Sequence, residues 1–314
     1  MNSKYPEFWI AIVLLGTAAF GHAQGSVTLT KDIVYGNAGG TELKLDMARP
    51  DSETAPVPAL VFIHGGAWQS GYKSDFEAVI RQFASFGYVA ASVEYRLAPK
   101  SPWPAQIEDV KCAVRFLRAN AKTFGIDPEK IGVSGHSAGG NLCLLLGLMN
   151  PEDGFEGDGG HAEFSSTVQA IINVAGPTDL RLWHADPEAE ATLIADTGAG
   201  FEDALADFLG TSDRTAHVMT QASPVHYIDV DDPPVLTIHG SLDPVVPVRQ
   251  AILLHENLDK IGSNHNKLVI IDGADHGFAE PRHLMRIVQE GRSFADRWLK
   301  GIKLDDDSKE EITE

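Results

Sequence analysis

Apolar and polar residues alternate along Val27–Val34 and Leu43–Ala48, the period of strands with one wet face. The two segments predict a β-hairpin or an edge pair. Beyond them the pattern changes. "ALVFIH" (Ala59–His64) and "YVAASVEY" (Tyr88–Tyr95) are short unbroken apolar runs, as strands buried on both faces require. "IGVSG" (Ile131–Gly135), "VQAIINVAG" (Val168–Gly176), "PVLTIHG" (Pro234–Gly240) and "KLVIIDG" (Lys267–Gly273) repeat it. Between these runs the pattern is helical: Phe76–Phe86, Gln106–Lys122 with Val110, Val114 and Leu117 on one stripe, Asn141–Met149, Val248–Ile261 and Arg282–Leu299. Pro247 stands where a first helical turn accepts proline. Buried strands alternating with helices predict an α/β fold, a mostly parallel central sheet with helices on both faces.

Two segments break the rhythm. Asp179–Val225 holds no clear buried strand and reads as short helices ("AEATLIADTG", "FEDALADFLG") between two strands. A small cap over one end of the sheet is the expectation, because inserts of that length usually carry function; a long surface excursion is the alternative. Asp153–Glu163 is rich in glycine and acids but lacks the spacing of an EF-hand loop, so a mobile loop is expected.

The first residues carry a different signal. Phe8–Phe20 is apolar, Lys4 precedes it, and the small residues Gly21 and Ala23 lie just before Gln24. Residues 1–23 therefore read as a signal peptide, with a retained N-terminal anchor as the alternative. That predicts a secreted or periplasmic domain over 24–302 with no membrane contact after cleavage, ending in an acidic tail, 303–314, that is expected to fray. No other stretch is long and apolar enough to span a bilayer.

A chain of 314 residues with 43% hydrophobic content suits one large domain. A formal net charge of -19 repels nucleic acid and anionic membranes and favours neutral substrates. Cys112 and Cys143 fall inside apolar helical patterns and read as small core residues, although an exported chain could pair them.

Candidate chemistry lies at the ends of the apolar runs. "VSGHSAGGNLC" (Val133–Cys143) contains Gly-x-Ser-x-Gly, a weak signal alone. Here a strand precedes it and a helix follows, the context of a nucleophile elbow with Ser137 at the apex. A serine needs a base, and the base an orienting acid. In this arrangement the acid and then the histidine follow the serine, each after a strand. Asp243 follows "VLTIHG" and His276 follows "LVIIDG". His255, His265 and His283 fall in or beside predicted helices. His136 should point away from its neighbour Ser137 in so tight a turn, and Asp275 cannot easily reach the ring of the adjacent His276. Oxyanion donors are expected from the backbone N–H of Ala138 and from Gly65 and Gly66 in "HGGAW" after the third strand.

The set "HGGAW", "YRLAP", "PAQIEDV", "GHSAGG", "SLDPVVP" and "DGADHGF" resembles the α/β-hydrolase esterases near the hormone-sensitive-lipase-like branch. Within them it is most similar to secreted bacterial carboxylesterases of the acetyl-xylan or feruloyl esterase-like type, over nearly all of Val27–Trp298. Members of that branch usually carry a third glycine and an acidic residue before the nucleophile; Ala67 and His136 stand there instead. The resemblance implies acyl transfer through Ser137, His276 and Asp243, with no metal or organic cofactor, on a small-molecule or polysaccharide-linked ester. Trp68, Trp183 and Phe278 are candidate pocket walls, with packing an equally good account of each. Kynurenine-formamidase-like amidases share an "HGGxW" loop, so amide hydrolysis is an alternative. A lipase for longer acyl chains is another; a binding module of the kind that has lost a triad residue is disfavoured, because Ser137, Asp243 and His276 are all present. The oligomeric state is not readable.

Overall fold

The structure, a computed structural model, describes residues 26–51, 55–184, 187–188, 190–191, 200–263 and 265–303. The signal-peptide and tail expectations lie outside the described residues, as does much of the first predicted cap helix. Eight strands form one sheet in the order β1-β2-β4-β3-β5-β6-β7-β8. They are β1 (Val27–Ala38), β2 (Thr41–Pro50), β3 (Val57–Ile63), β4 (Val89–Val93), β5 (Ile126–His136), β6 (Ala170–Val174), β7 (Val235–Gly240) and β8 (Lys267–Ile271). β1 and β2 are antiparallel to each other, and β2 to β4; every other pairing is parallel. Five of the six uninterrupted apolar runs are the interior strands β4, β3, β5, β6 and β7, where both faces must be dry; the sixth, β8, lies instead at the edge of the sheet, with Lys267 and Ile270 exposed.

Among the described residues, helices α1 (Glu77–Ser85), α2 (Ala105–Ala119) and α3 (Ala138–Leu148) flank the sheet, α4 (Phe201–Leu209) and α5 (His217–Gln221) lie in the inserted segment, and α6 (Arg249–Lys260) and α7 (Pro281–Lys300) flank the sheet again. Two apolar clusters divide the core. One takes Val110, Leu117, Leu145 and Leu254 from α2, α3 and α6; the other takes Ile80, Phe83, Leu284 and Leu299 from α1 and α7. α7 shows why such a segment is helical. Its buried Leu284, Val288, Gly291, Ala295 and Leu299 recur every three or four positions, Pro281 opens its first turn, and Gly301 ends it at φ 69°. Each fully buried leucine on that stripe contributes about 2 kcal/mol relative to an exposed one.

Some boundaries differ from the pattern reading, each for a local reason. β1 runs on to Ala38 because bulges at Thr30/Ile33 and Val34/Gly36 disturb its alternation without ending the pairing. β5 begins at Ile126, which pairs with Val57, although Asp127–Lys130 after it are polar. α2 stops at Ala119 because the Asn120 side chain donates to the Phe116 carbonyl at 2.9 Å and closes the turn.

The acidic loop 153–163 is tied down rather than loose. Glu156 accepts from Lys111 at 2.8 Å, Arg115 at 2.7 Å and Ser166 at 2.9 Å. Lys111 and Arg115 are both almost fully buried, so the carboxylate is drawn onto them. Cys112 and Cys143 are free, buried thiols. No helix among the described residues is long and apolar enough to cross a membrane.

Candidate active site

The parallel strands end together at one rim of the sheet, and the loops there carry the candidate residues. Ser137 sits between the end of β5 and the start of α3 at φ 57° and ψ -122°. A non-glycine residue there is strained. The surrounding sequence permits it, because a Cβ on Gly135 would lie 2.1 Å from the Gly139 carbonyl oxygen and one on Gly139 would lie 2.1 Å from that of Ile63. The turn is fixed by Ser137 N–H donating to the Val174 carbonyl at 2.9 Å and Asn141 N–H donating to that of Ser137 at 3.0 Å.

Ser137, Asp243 and His276 are brought together from three loops. Ser137 Oγ lies 2.9 Å from His276 Nε2, and His276 Nδ1 lies 2.7 Å from Asp243 Oδ2. Asp243 is held from several sides. Its Oδ1 accepts the backbone N–H of Val245 at 2.9 Å and of Val246 at 2.8 Å. Its Oδ2 also lies 3.3 Å from His239 Nε2, which donates to the Val246 carbonyl at 2.7 Å. Burial works against ionising this carboxyl, but the imidazoles of His276 and His239 outweigh it and hold the carboxyl well below the usual range. An ionised acid can accept Nδ1–H and leave Nε2 free to take the serine proton.

The "HGGAW" loop faces the elbow. A Cβ on Gly65 would lie 3.0 Å from the His136 carbonyl oxygen and 3.2 Å from Ser137 Cβ, so glycine is what allows this approach. Gly66 has φ 108°, and its carbonyl accepts the N–H of Gln69 and of Ser70, both at 3.0 Å. Ala138 is the first residue of α3, where a backbone N–H has no partner within the helix. Two side chains that the sequence reading passed over steady this loop. His64 Nδ1 donates to the Gly65 carbonyl at 2.8 Å, and Tyr95 Oη donates to the His64 carbonyl at 3.0 Å. The two rings stack at 4.3 Å. Burial lowers the His64 pKa to about 4, so the ring is neutral near pH 7.

A recess beside Ser137 and Ala138 encloses about 230 Å³, the open space at its mouth included. Ala67, Trp68, Pro177, Trp183, Phe201, Val245 and Val246 complete its lining. Trp68 and Trp183 are both in this lining and both packed into the core. Trp183 Nε1 donates to the Val245 carbonyl at 2.8 Å. Phe278 does not line the recess. At φ 51° its buried ring turns into the cluster under α7, edge-on to His136 at 6.2 Å. Proximity to His276 in sequence did not determine which side of the turn it would face. Phe201 was missed because it belongs to the inserted segment, whose docking no local pattern reveals. His136 does point away from Ser137, but onto the His276 backbone, with Nε2 3.0 Å from that carbonyl oxygen. Among the described residues no His, Cys, Asp or Glu group is arranged to hold a metal ion.

Comparison with known proteins gives a consistent picture. The BD-FAE family profile matches residues 45–258. The chain is 36% identical over 231 residues to Esterase LipC of Mycobacterium tuberculosis, covering 73% of this chain and 55% of that protein. It is 33% identical over 225 residues to the probable carboxylic ester hydrolase LipM of the same organism, covering 70% and 49%. The chain spans about half the length of these curated relatives. Among solved structures, a truncated carbohydrate esterase from gut microbiota superposes with a TM-score of 0.71 at 25% identity, covering 87% of this chain and 97% of that one. A thermophilic esterase of Thermogutta terrifontis gives 0.68 at 28% identity, covering 87% and 92%.

Proposed function

Because this chain belongs to the BD-FAE family, we propose that it is a serine carboxylic ester hydrolase working through an acyl-enzyme. One observation carries the reading: Ser137, His276 and Asp243 stand in hydrogen-bond sequence at 2.9 Å and 2.7 Å, at the mouth of a recess and beside a helix N-terminus. In the proposed reaction Ser137 Oγ attacks the ester carbonyl as His276 Nε2 takes its proton. The carbonyl oxygen becomes an oxyanion, stabilised by the N–H groups of Ala138, Gly66 and Gly65. His276, held by Asp243, gives the proton to the departing alcohol. It then activates the water that releases the acid and frees Ser137. No cofactor enters the scheme.

The proposed substrate is an ester of a short acyl group or an aromatic acid of feruloyl type, drawn from plant polysaccharides. The aromatic rings of Trp68, Trp183 and Phe201 wall the recess beside Ser137 closely, and that narrowness favours the short end. The Thermogutta terrifontis esterase has been solved with butyrate and with propionate bound, and another neighbour is described as a carbohydrate esterase. Export belongs to the proposal and rests on residues 1–23; a secreted or periplasmic product beginning at Gln24 would support it.

The test is kcat/KM on p-nitrophenyl acetate, butyrate and octanoate, methyl ferulate, acetylated xylan and N-formylkynurenine. We expect acetate or ferulate to lead and Ser137→Ala to lose about 10,000-fold or more. N-formylkynurenine leading would make the protein an amidase. Octanoate leading would make it a lipase-type enzyme, and turnover surviving in Ser137→Ala would remove the nucleophile.

A further inference from the structure

The residue before the nucleophile in this chain is a histidine, and its ring is engaged on three sides. His136 Nε2 lies 3.0 Å from the His276 carbonyl oxygen. A carbonyl only accepts, so Nε2 carries the proton and donates it. The ring centroid lies 5.0 Å from that of His276. A Cβ on Gly65 would come within 3.4 Å of His136 Nδ1, so the other side of the ring faces the "HGGAW" loop. Burial, with His276 close by, lowers the His136 pKa to about 3, which keeps the ring neutral across the working pH range.

We propose that His136 is a positioning residue: its Nε2–H donates to the His276 carbonyl and fixes the peptide that carries the base relative to the elbow that carries the nucleophile. This rests on the ester-hydrolase reading of the site. The need for such a tie follows from the chemistry. Ser137 and His276 are 139 positions apart, and the side-chain bond between them is the one that reacts. Once Ser137 Oγ is acylated it has no proton to donate, and that bond is gone. His276 must still be in place to activate water. The His136 bond touches neither reacting atom and persists through both half-reactions. A carboxylate at this position would face the carbonyl acceptor to acceptor and could not serve.

Three substitutions of similar reach separate donor from shape. His136→Gln keeps an N–H donor the same number of bonds from Cα. His136→Met keeps the reach without a donor, and His136→Glu offers an acceptor. With p-nitrophenyl acetate, Met and Glu should slow both the acylation burst and the steady-state rate by about 10- to 100-fold, while Gln stays within about 3-fold of the unsubstituted enzyme. Melting temperatures of all three identify any loss of fold. Full activity in Met, or a Gln variant as slow as Met, would overturn the proposal. The unsubstituted protein offers an independent reading by nitrogen-15 NMR: a slowly exchanging His136 Nε2–H supports the bond, and its rapid exchange overturns it. Absence of ester turnover in the unsubstituted enzyme would sink the ester-hydrolase reading, whereas variants as fast as wild type would sink only the tie.

Discussion

At Gly66 a single hydrogen atom decides whether the "HGGAW" loop, the proposed oxyanion loop, can take its shape. Its φ of 108° lies in the region that side chains avoid, and a Cβ would lie 2.3 Å from the Ser70 carbonyl oxygen and 2.6 Å from its carbon. Both are backbone atoms, so the loop would have to move. Gly66→Ala is expected to lower kcat by about 100-fold or more, the cost typical of a lost oxyanion donor, and to reduce the melting temperature. Steady-state kinetics with a parallel thermal melt checks both. At this scale part of the site can be read from the sequence alone. Ser137, Asp243 and His276 end or closely follow apolar runs, and strand order makes their loops neighbours. The supporting imidazoles are a different case. His64 acts on the adjacent carbonyl, His239 on one seven positions on, and His136 on one 140 positions away. No spacing rule covers all three. Each is a buried or half-buried ring finding whatever acceptor the folded backbone presents.

Among the elements, α4 has two jobs that its sequence does not announce. Phe201 at its start lines the recess, and Phe208 near its end stacks on Trp68 at 4.2 Å with the planes 2° apart. Trp183 meets Trp68 edge-on at 6.0 Å and Phe201 at 5.9 Å. The inserted segment therefore supplies one wall directly and steadies another. The amphipathic pattern of "FEDALADFLG" indicates a helix but not what its apolar stripe covers. Phe201→Ala should open the recess without removing the plate behind Trp68. The expected result is a rise of about 10-fold in the octanoate-to-acetate ratio of kcat/KM, roughly the selectivity that one or two methylenes carry in an apolar pocket. An unchanged ratio would move the acyl chain to another wall.

Across the whole molecule, 44 acidic residues stand against 25 lysines and arginines, and one aspartate should couple that surplus to stability. Asp232 is half-buried. Burial, with Asp229 and Asp231 nearby, raises its pKa from 3.8 to about 7. The folded form holds this proton more tightly than the unfolded chain. Stability from this group is complete below about 3.8 and is lost as pH rises to about 7. Asp232→Asn keeps an oxygen for the Asp229 N–H, which donates to Asp232 at 2.8 Å. The variant should melt higher than the parent at pH 8 and not at pH 4, as calorimetry at the two values would show.

The order of the sheet has one further consequence. β8 is an edge strand, hydrogen-bonded only to β7 within the sheet, and the loop it leads into carries His276. Ser137 projects from β5, which is flanked by β3 and β6. Segments with few buried apolar residues and exposed backbone open earlier than core strands, and β8, with Lys267 and Ile270 exposed and one edge unpaired in the sheet, has those features. The proposed nucleophile is thus attached to the interior of the sheet and the proposed base to its edge. In rising urea, hydrolysis should fail at a lower concentration than the far-ultraviolet helical signal, and backbone amides of β8 should exchange with deuterium ahead of those in β5. Partial denaturation would leave an intact elbow without its partner, and the proposed activity would be silenced while most of the fold still stands.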